Sequence, residues 1–332
     1  MIKIQSEPDL KDCGYPGTPH EQPNLNEYLQ KYLEPAIQHG HRVNFLDKWI
    51  RLPNYREIKD WNPNLMVSIV SANFGNTPVL TAHIESLAKQ DYPHNQMEVL
   101  FIDDNSPDQS ECIQIMKKLM IKHRDLNIRF FETHKNITWN SVLADNIGIK
   151  RAKGDIVMFC DSDVLLVGKD YVTATVKHHS QRENLWLNPL NYEFLSEKVL
   201  LEYLAKNFAD IDKENFENPS VSNFYIVTQP IMWRGGSVRR TECVKLHGLD
   251  EGLRGWGGMD GNFYERLKKD GFVGGQDYTM QTMHMWRSVF QGQIADKLFP
   301  ERYGKDHGHI TGDLTANPEG WGEIDTLEEI TL

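Results

Sequence analysis

Short apolar runs and amphipathic stretches alternate through the first half of the chain. The run at 65–72 (LMVSIVSA) is rich in β-formers and predicts a buried strand. Thr77 and Pro78 then supply a helix N-cap and a first-turn proline, and apolar residues follow at helical spacing as far as Ala88. The pattern therefore predicts a strand that is followed directly by a helix.

The same alternation continues as far as residue 160. Further strands are predicted at 98–103, 127–132 and 155–160, and further helices at 106–120 and 140–152. Four apolar strands joined by helices are typical of a mostly parallel sheet that helices cover on both faces. The fold class expected for this chain is therefore α/β.

The second half of the chain is less regular. Helices are expected near 193–209, 240–246 and 259–270, and strands near 226–233 and 276–285. Residues 1–63, which are polar and rich in proline, are predicted to be an N-terminal extension. Residues 291–332, rich in Gly, Asp and Glu, are predicted to be an irregular C-terminal tail. One domain is expected between them, at 64–290.

Composition narrows the possible partners and location. The chain has 332 residues, 39% of them hydrophobic and 25% charged, which is ordinary for a globular protein. Its net charge of -11 argues against extended binding to a nucleic-acid backbone, which needs clustered Lys and Arg. No apolar run has membrane-spanning length, and the first residues contain no signal-like stretch. The four cysteines lie far apart without a CxxC pair, so a cytoplasmic protein without a transmembrane segment is expected.

Polar clusters fall where the predicted strands end. In open α/β sheets, ligands bind beyond the carboxyl ends of the strands. The first strand ends in SAN (71–73) and the second in DDNS (103–106). Asp103 or Asp104 is suitably placed to accept hydrogen bonds from ribose hydroxyls. The alternative is that the DDNS segment only forms the turn and cap before Pro107.

The fourth strand ends in the sequence DSD, with Asp161 and Asp163 two residues apart. If the strand geometry continues, both side chains point to the same side. Two neighbouring carboxylates repel each other unless a proton or a cation relieves them. Mg²⁺ or Mn²⁺ held by one or two carboxylates together with substrate phosphates is a common arrangement. The alternative is a pair of solvated turn residues, because D-x-D alone is a weak motif.

The motifs of the two halves follow one another in a recognisable order. VSIVSANFGN, LFIDDNS and NIGIKRAKGDIVMFCDSDV are followed by the segment 235–271, which contains GLDE and GWGG-x-D. In this order they resemble the family 2 type of glycosyltransferase with the GT-A fold, over roughly Met66 to His284. The later segment also resembles galactosyl- and chondroitin-type transferases. The resemblance implies a Rossmann-like nucleotide-sugar half at 64–165 and an acceptor half at 166–290.

A donor site at the strand ends follows from this resemblance. In the family, the first strand and the acidic end of the second bind the nucleotide, and the D-x-D binds a divalent metal and the donor diphosphate. Where many relatives have Ala-Arg-Asn, this chain has Ala144–Asp145–Asn146. Another arginine is therefore expected at the phosphates: Arg234, Arg239, Arg240 or Arg254. The implied nucleotide-sugar ligands are Ser71, Ala72, Asn73, Asp103, Asp104, Asp161, Ser162 and Arg234.

The implied metal is Mn²⁺ or Mg²⁺, held by Asp161 and Asp163. Several related transferases add a histidine late in the chain, and QTMHMWR offers His284. Imidazole suits Mn²⁺ less well than carboxylate does, yet mixed sites occur. The competing candidate is the pair His307 and His309.

The acceptor side is implied by the segment GWGGMD. Asp260 matches the position at which the family places the base that activates the acceptor. Trp256 offers an apolar face for a sugar ring, and Gly257 and Gly258 would let the loop close over the donor. The alternatives are a carboxylate that favours the helix dipole and a tryptophan packed in the core. Met259 stands where the related pattern usually has Glu, which removes one acceptor-binding carboxylate.

The expected function is metal-dependent transfer of a sugar from a nucleotide sugar, UDP-linked by preference, to an acceptor hydroxyl with inversion. One alternative is a nucleotidyltransferase that makes a nucleotide sugar, although SANFGNTP lacks the Lys or Arg of such phosphate loops. Another is a non-catalytic module that binds nucleotide sugars. The acceptor stays open between a polysaccharide, a glycolipid head group, a protein and a hydroxymethylated DNA base.

Overall fold

The computed structural model describes residues 50–134, 140–194, 224–227, 232–253, 259–285 and 314–332, with the backbone alone at 192–194 and 224–227. The described part contains eleven strands and six α-helices. The strands are β1 (Ile50–Arg51), β2 (Val67–Asn73), β3 (Met97–Asp103), β4 (Asn127–Glu132), β5 (Ile156–Cys160), β6 (Val164–Leu166), β7 (Leu185–Phe194), β8 (Phe224–Val227), β9 (Arg234–Arg239), β10 (Val273–His284) and β11 (Glu328–Ile330). The helices are α1 (Thr77–Ala88), α2 (Gln109–Lys122), α3 (Ser141–Arg151), α4 (Tyr171–Gln181), α5 (Arg240–Lys245) and α6 (Met259–Lys269).

The described strands form one sheet with the order β1-β10-β7-β9-β5-β2-β3-β4-β11, while β6 pairs with β10 and β8 pairs with β7. At its centre β5, β2, β3 and β4 run parallel to one another, and α1, α2 and α3 connect them in turn. β9 and β11 pair antiparallel with β5 and β4. The predicted parallel core is confirmed, and antiparallel strands extend it on both sides.

Both faces of this sheet are buried, as the continuous apolar runs predict. Ile69 lies in a cluster with the apolar residues of α1 and α2, while its neighbour Val70 faces the cluster formed with α3. A Cβ on Gly148 of α3 would lie 2.4 Å from Cγ1 of Val70. The glycine therefore lets α3 approach β2 closely.

Part of the predicted N-terminal extension packs against the sheet. β1 runs parallel to β10 at the sheet edge. Tyr55 is buried, its backbone N–H donates to Oδ2 of Asp277 over 3.1 Å, and its hydroxyl donates to Asp170. Residues 1–49 lie outside the described residues. The chain thus joins the sheet before the boundary that the sequence predicts at residue 63.

The predicted C-terminal tail also contains packed structure. β11 pairs antiparallel with β4, so it covers the other edge of the sheet. Trp321 is buried in the cluster around α3. The three residues of β11 are Glu, Glu and Ile, and so short and polar a strand has no alternating pattern by which to predict it.

Elements of the second half agree with the prediction where they are described. α5, α6 and β10 lie close to the predicted ranges, and β8 overlaps the strand predicted at 226–233. Of the helix predicted at 193–209, the first two residues belong to β7 and the rest lie outside the described residues. None of the described helices is both long enough and apolar enough to cross a membrane.

His178 and His179 face the interior of the protein. Both are on α4 and both are buried. Nε2 of His178 lies 2.8 Å from Oδ2 of Asp277, and Nε2 of His179 lies 2.9 Å from Oγ of Ser237. Polar partners on β10 and β9 thus allow this helix to pack its histidines inward.

Candidate functional site

The carboxyl ends of β2 and β3 meet at one edge of the sheet. Asn73 is paired in register with Asp103, and its Nδ2 donates to Oδ1 of Asp103 over 2.5 Å. The hydroxyl of Ser106 donates to the same oxygen over 2.5 Å, and the Ser106 N–H donates to Oδ2 over 3.0 Å. The structure thus brings Asn73 and Asp103 together in one buried, hydrogen-bonded turn.

Glu132, at the end of β4, extends this edge and is missing from the predicted set. It is buried and paired in register with Asp103. Burial and the neighbouring Asp103 carboxylate raise the pKa of Glu132 to about 9, and burial also raises the pKa of Asp103. One proton is therefore retained between the two carboxyl groups at neutral pH. The sequence does not show the strand register that brings them together.

Asp104 binds the backbone at the N-terminus of α3. Its Oδ2 accepts the backbone N–H of Asn140 over 2.6 Å, and its Oδ1 accepts the hydroxyl of Thr133 over 3.3 Å. Its own N–H donates to the carbonyl of Asn73 over 2.9 Å. The side chain that the sequence proposes for ribose therefore also links the ends of β2, β4 and α3.

Ser71 and Ala72 connect the end of β2 to the D-x-D segment. The Ser71 hydroxyl lies 2.9 Å from Nε2 of His83 on α1, so this side chain faces the helix. Nδ1 of His83 lies 2.7 Å from the carbonyl oxygen of Val164, the residue after the D-x-D. The carbonyl of Ala72 accepts the N–H of Ser162 over 3.2 Å. Both residues thus reach the D-x-D segment, one through a histidine and one directly.

The D-x-D forms a turn between β5 and β6. The N–H of Asp161 donates to the carbonyl of Trp233 over 2.9 Å, and the N–H of Val164 donates back to the carbonyl of Asp161 over 2.9 Å. Nδ2 of Asn76 donates to the Ser162 hydroxyl over 3.0 Å. The premise that the β5 strand geometry continues through the two aspartates is therefore wrong, since β5 ends at Cys160.

Asp163 and His284 lie together, as the sequence predicts. β6 runs antiparallel to β10, with Val164 opposite His284. Oδ2 of Asp163 lies 3.4 Å from Nε2 of His284, and the carbonyl of Asp163 accepts the N–H of Met285 over 2.7 Å. Both residues are buried, with side chains that are 11% exposed in His284 and 5% exposed in Asp163. The competing pair His307 and His309 lies outside the described residues.

Asp260 interacts electrostatically with Arg234 and with Asp161 of the D-x-D turn. It lies in the first turn of α6 and is partly exposed. Burial raises the pKa of Asp260 to about 7, and the Arg234 guanidinium opposes this shift. Burial and the carboxylates of Asp145, Asp163 and Asp260 raise the pKa of Asp161 well above its usual range, again against Arg234. The predicted base, the D-x-D and the predicted arginine thus share one electrostatic environment.

Asp145 is a further acid in this environment, at the position where many relatives carry arginine. It is fully buried on α3, and Nε1–H of Trp233 donates to its Oδ2. Burial, together with the charges of Asp260 and Asp104, raises the pKa of Asp145 well above its usual range. The sequence shows the exchange of arginine for aspartate, but not the tryptophan that holds the carboxyl group.

The predicted acceptor residues Trp256, Gly257 and Gly258 lie outside the described residues, as does Arg254. Met259, which follows them, is partly buried, and its Sδ lies 3.8 Å from the Ser141 hydroxyl. The residue that replaces the usual Glu thus contacts the start of α3.

Known proteins match the segment that contains β2 to β7. Residues 68–196 match the sequence profile of "Glycosyl transferase family 2". This segment is therefore similar to glycosyl transferase family 2. The poly(ribitol-phosphate) β-N-acetylglucosaminyltransferases TarS and TarP of Staphylococcus aureus are similar, at 32% identity over 116 residues and 34% over 100. The matches cover 34% and 30% of this chain but only 19% and 29% of the relatives.

Solved glycosyltransferase structures are similar to this chain at the level of the fold. The mannosyltransferase PcManGT of Pyrobaculum calidifontis, in complex with GDP-Man and Mn²⁺, superposes with a TM-score of 0.52 and 16% identity, over 79% of this chain and 66% of that one. GalNAc-T7 with UDP, GalNAc and Mn²⁺ superposes with a TM-score of 0.50 and 14% identity, over 74% and 53%. The predicted GT-A fold is confirmed.

The site described here offers few protein ligands to a metal. Among the described residues, no group of three or more His, Cys, Asp or Glu side chains is arranged to hold a metal ion. Asp163 and His284 together supply one carboxylate oxygen and one imidazole nitrogen at adjacent positions. This donor set fits Mn²⁺ or Mg²⁺ only if phosphate oxygens and water occupy the other positions, which is how Mg²⁺ is often held with nucleotides.

Proposed function

We propose that this protein is a metal-dependent glycosyltransferase that moves a sugar from a nucleotide-sugar donor, UDP-linked by preference, to an acceptor hydroxyl group. The observation that carries the proposal is the pairing of Asp163 with His284, 3.4 Å apart, beside the carboxyl groups of Asp161 and Asp260. Carboxyl groups gathered at the ligand-binding edge of a parallel sheet call for a cationic partner. The match of residues 68–196 to the profile of glycosyl transferase family 2 supports the proposal.

The donor's nucleotide would lie along the ends of β2 and β3. Asn73 and Asp103 hold each other there, and Asp104 fixes the adjacent start of α3. These side chains are therefore already fixed by hydrogen bonds, so binding of the nucleotide would cost little side-chain entropy. The diphosphate would follow towards Ser162 and Arg234, where a cationic side chain lies beside the D-x-D turn.

Asp163 and His284 would hold Mn²⁺ or Mg²⁺, with Asp161 at the metal or its water shell. When bound, the metal neutralises the negative charge that develops on the departing diphosphate. The role of the protein is to fix the two ligands. The backbone bond from Met285 to Asp163 and the pairing of β6 with β10 hold them in place.

Asp260 would act as the general base. In an in-line displacement, the acceptor oxygen forms a bond to the anomeric carbon as the bond from that carbon to the diphosphate oxygen breaks. The proton of the acceptor hydroxyl passes to the Asp260 carboxylate, whose pKa of about 7 suits proton transfer at neutral pH. One base and a single displacement give inversion at the anomeric carbon.

The acceptor class within this proposal is a hydroxyl-bearing glycan or polyol. The names of the matched relatives include transferases that act on poly(ribitol-phosphate) and on a dolichyl-phosphate-linked sugar. Ribitol and sugar acceptors present several hydroxyl groups. A hydroxymethylated DNA base presents one, and the acidic net charge of -11 makes a DNA acceptor the less favourable choice.

A cytoplasmic location is part of the proposal. Cys112, Cys160 and Cys243 are buried as free thiols in the described part of the chain. Free thiols persist where glutathione and thioredoxin keep them reduced. Nucleotide sugars made in the same compartment would then reach the site directly.

The test combines binding with turnover. Binding of UDP or GDP with Mn²⁺ should raise the melting temperature by about 3–6 °C at a hundredfold excess over Kd. The matched variant Asp163→Asn should lose most of the Mn²⁺-dependent part of this shift. Slow hydrolysis of the nucleotide sugar without an acceptor should accompany binding in the native protein.

Other outcomes would identify the alternatives. Release of pyrophosphate from UTP and a sugar 1-phosphate would instead indicate a nucleotidyltransferase. Nucleotide-sugar binding without hydrolysis or transfer to ribitol phosphate, glycan or hydroxymethylated DNA acceptors would indicate a binding module. Either result would overturn the proposal.

A further inference from the structure

Asp145 has a buried oxygen without a hydrogen-bond partner. Its side chain is fully buried, and Trp233 donates its indole N–H to Oδ2. No group in the described part of the chain donates to or accepts from Oδ1. Most buried polar atoms are hydrogen-bonded, so an unsatisfied one calls for an explanation, such as a ligand that is absent from the structure.

Trp233 ties this oxygen to the proposed donor site. Its carbonyl accepts the N–H of Asp161 over 2.9 Å, while its indole N–H holds Asp145. Its ring packs at 6.1 Å from the ring of Phe159 on β5. A single buried residue therefore fixes the D-x-D turn and the Asp145 carboxyl group relative to each other.

Asp145 interacts electrostatically with groups on both the metal side and the base side of the proposed site. Its carboxyl group interacts electrostatically with those of both Asp161 and Asp260. In the proposed reaction the diphosphate lies near Asp161 and the attacking hydroxyl lies near Asp260. The sugar that is transferred must lie between them, and this is the region of Asp145.

The neighbours also decide which form Asp145 takes. Burial and the charges of Asp260 and Asp104 raise its pKa well above the usual range, while the Trp233 N–H opposes the shift. Because Oδ2 accepts the indole N–H, the proton is carried by Oδ1. A carboxylic O–H can donate to and accept from a sugar hydroxyl. A sugar carboxylate would instead add negative charge to a region that already raises the pKa values of Asp161 and Asp260.

We propose that Oδ1 of Asp145 is the hydrogen-bonding site for a hydroxyl group of the donor's sugar, and that the chain thereby selects a neutral, hydroxyl-bearing sugar over a uronic acid. The inference rests on the proposed function, since it assigns one contact within that donor site. It belongs to this chain's own residues, because many relatives carry arginine at the position.

The test compares sugar-bearing donors with the bare nucleotide by titration calorimetry in the presence of Mn²⁺. The probes are UDP, UDP-glucose, UDP-N-acetylglucosamine, UDP-glucuronic acid, GDP and GDP-mannose. The native protein should bind at least one neutral donor more tightly than its nucleotide, and UDP-glucuronic acid more weakly than UDP-glucose. A native protein that prefers UDP-glucuronic acid would overturn the selectivity.

Two variants separate the hydrogen bond from the fold. Asp145→Asn presents an amide N–H₂ at the position of Oδ1 and should keep donor affinity within about threefold. Asp145→Leu removes the hydrogen bond and should weaken neutral donors about tenfold, while the affinities of UDP and GDP stay unchanged. Because Leu also leaves the buried indole N–H of Trp233 without its acceptor, this variant should melt lower than the native protein, and its unchanged affinity for UDP and GDP is the control for an intact site.

Each outcome has one meaning. Equal donor affinity in the native protein and in Asp145→Leu would overturn the assigned contact. An Asp145→Asn variant as weak as Asp145→Leu would overturn it too, since the amide supplies the same donor. A native protein that binds neither UDP nor GDP would remove the proposed function itself, and the contact with it.

Discussion

Asp260 combines the position and the protonation behaviour that a base for a hydroxyl group needs. It lies in the first turn of α6, is partly exposed, and has a pKa of about 7 because burial disfavours its charge. Arg234 limits that shift without abolishing it. The group is therefore poised to exchange a proton near neutral pH, which a solvated aspartate is not.

The pH dependence of transfer should follow the Asp260 carboxylate. Below its pKa the base is protonated, so kcat/KM should rise about tenfold per pH unit below the inflection and level off above it. The inflection should lie at or below pH 7, because bound Mn²⁺ would lower the pKa further. Rates measured between pH 5 and 9 with saturating Mn²⁺ test this, and a profile flat from pH 5 to 7 would contradict it.

Removing the base should separate chemistry from binding. Asp260→Asn should lower kcat by about 10²–10⁴, while donor affinity changes by no more than about threefold. A raised carboxyl pKa means that folding favours the protonated form, so ionisation costs stability as pH rises from about 4 to 7. The variant should therefore melt no lower than the native protein at pH 8. Full activity in Asp260→Asn would remove this residue from the mechanism.

At the scale of elements, His83 connects α1 to two strands. It is buried, and burial lowers its pKa to about 4, so the ring is neutral at pH 7. The Val164 carbonyl can only accept, so Nδ1 carries the proton and Nε2 accepts from the Ser71 hydroxyl. With this assignment, each polar group in the contact among Ser71, His83 and Val164 has a partner. The contact also fixes the start of β6, directly after the proposed metal ligand Asp163.

Replacing His83 should loosen that connection. His83→Ala leaves the Val164 carbonyl and the Ser71 hydroxyl unpaired and should lower the free energy of unfolding by about 2–4 kcal/mol. The effect should be seen in urea unfolding at pH 7, together with weaker Mn²⁺ binding. Ser71→Ala is the matched control, which removes one bond only and should cost about 1 kcal/mol.

The same histidine should contribute to acid sensitivity. A folded pKa below the unfolded value of about 6.5 means that its stabilisation is complete above that pH and is lost as pH falls towards 4. The native protein should therefore lose more stability between pH 6.5 and 4.5 than the His83→Ala variant does. Equal slopes in the two proteins would contradict the buried neutral histidine.

At the scale of the whole molecule, the C-terminal segment holds the two halves of the site together. Nδ2 of Asn317 donates to the carbonyls of His247 and Leu249, and its Oδ1 accepts the N–H of Glu251 over 2.9 Å. Asn146 on α3 binds the same turn through Leu249 and Glu251. The turn that leads towards Asp260 is thus fixed between α3 and a segment about 70 residues further along the chain.

Breaking this clamp should affect stability and transfer together. Asn317→Ala should lower the free energy of unfolding by about 1–3 kcal/mol, because it leaves backbone groups of the turn unpaired. It should also lower kcat more than it lowers donor affinity, since it acts on the acceptor side. Glu323→Ala is the control: it removes a surface ion pair with Arg151 and should change stability by less than about 0.5 kcal/mol. An Asn317→Ala variant with native stability would refute the clamp.

How far the sequence predicts this molecule depends on the range of the interactions. The four parallel strands follow from local apolar runs, and the pairing of Asp163 with His284 follows from a family pattern. β11, the inward-facing histidines of α4, and the partners Glu132 and Trp233 do not follow, because each depends on a strand register or a packing contact between distant segments. Local periodicity contains no information about those partners.

The pairing of β6 with β10 has a mechanical consequence. It ties the D-x-D turn to a strand more than a hundred residues later, so the groups that would hold the leaving diphosphate belong to one continuous sheet. Sheets resist in-plane shear because many backbone bonds would have to break at once. The sheet therefore fixes the position of the groups that would hold the donor's phosphates. This part of the protein cannot move to accommodate acceptors of different size.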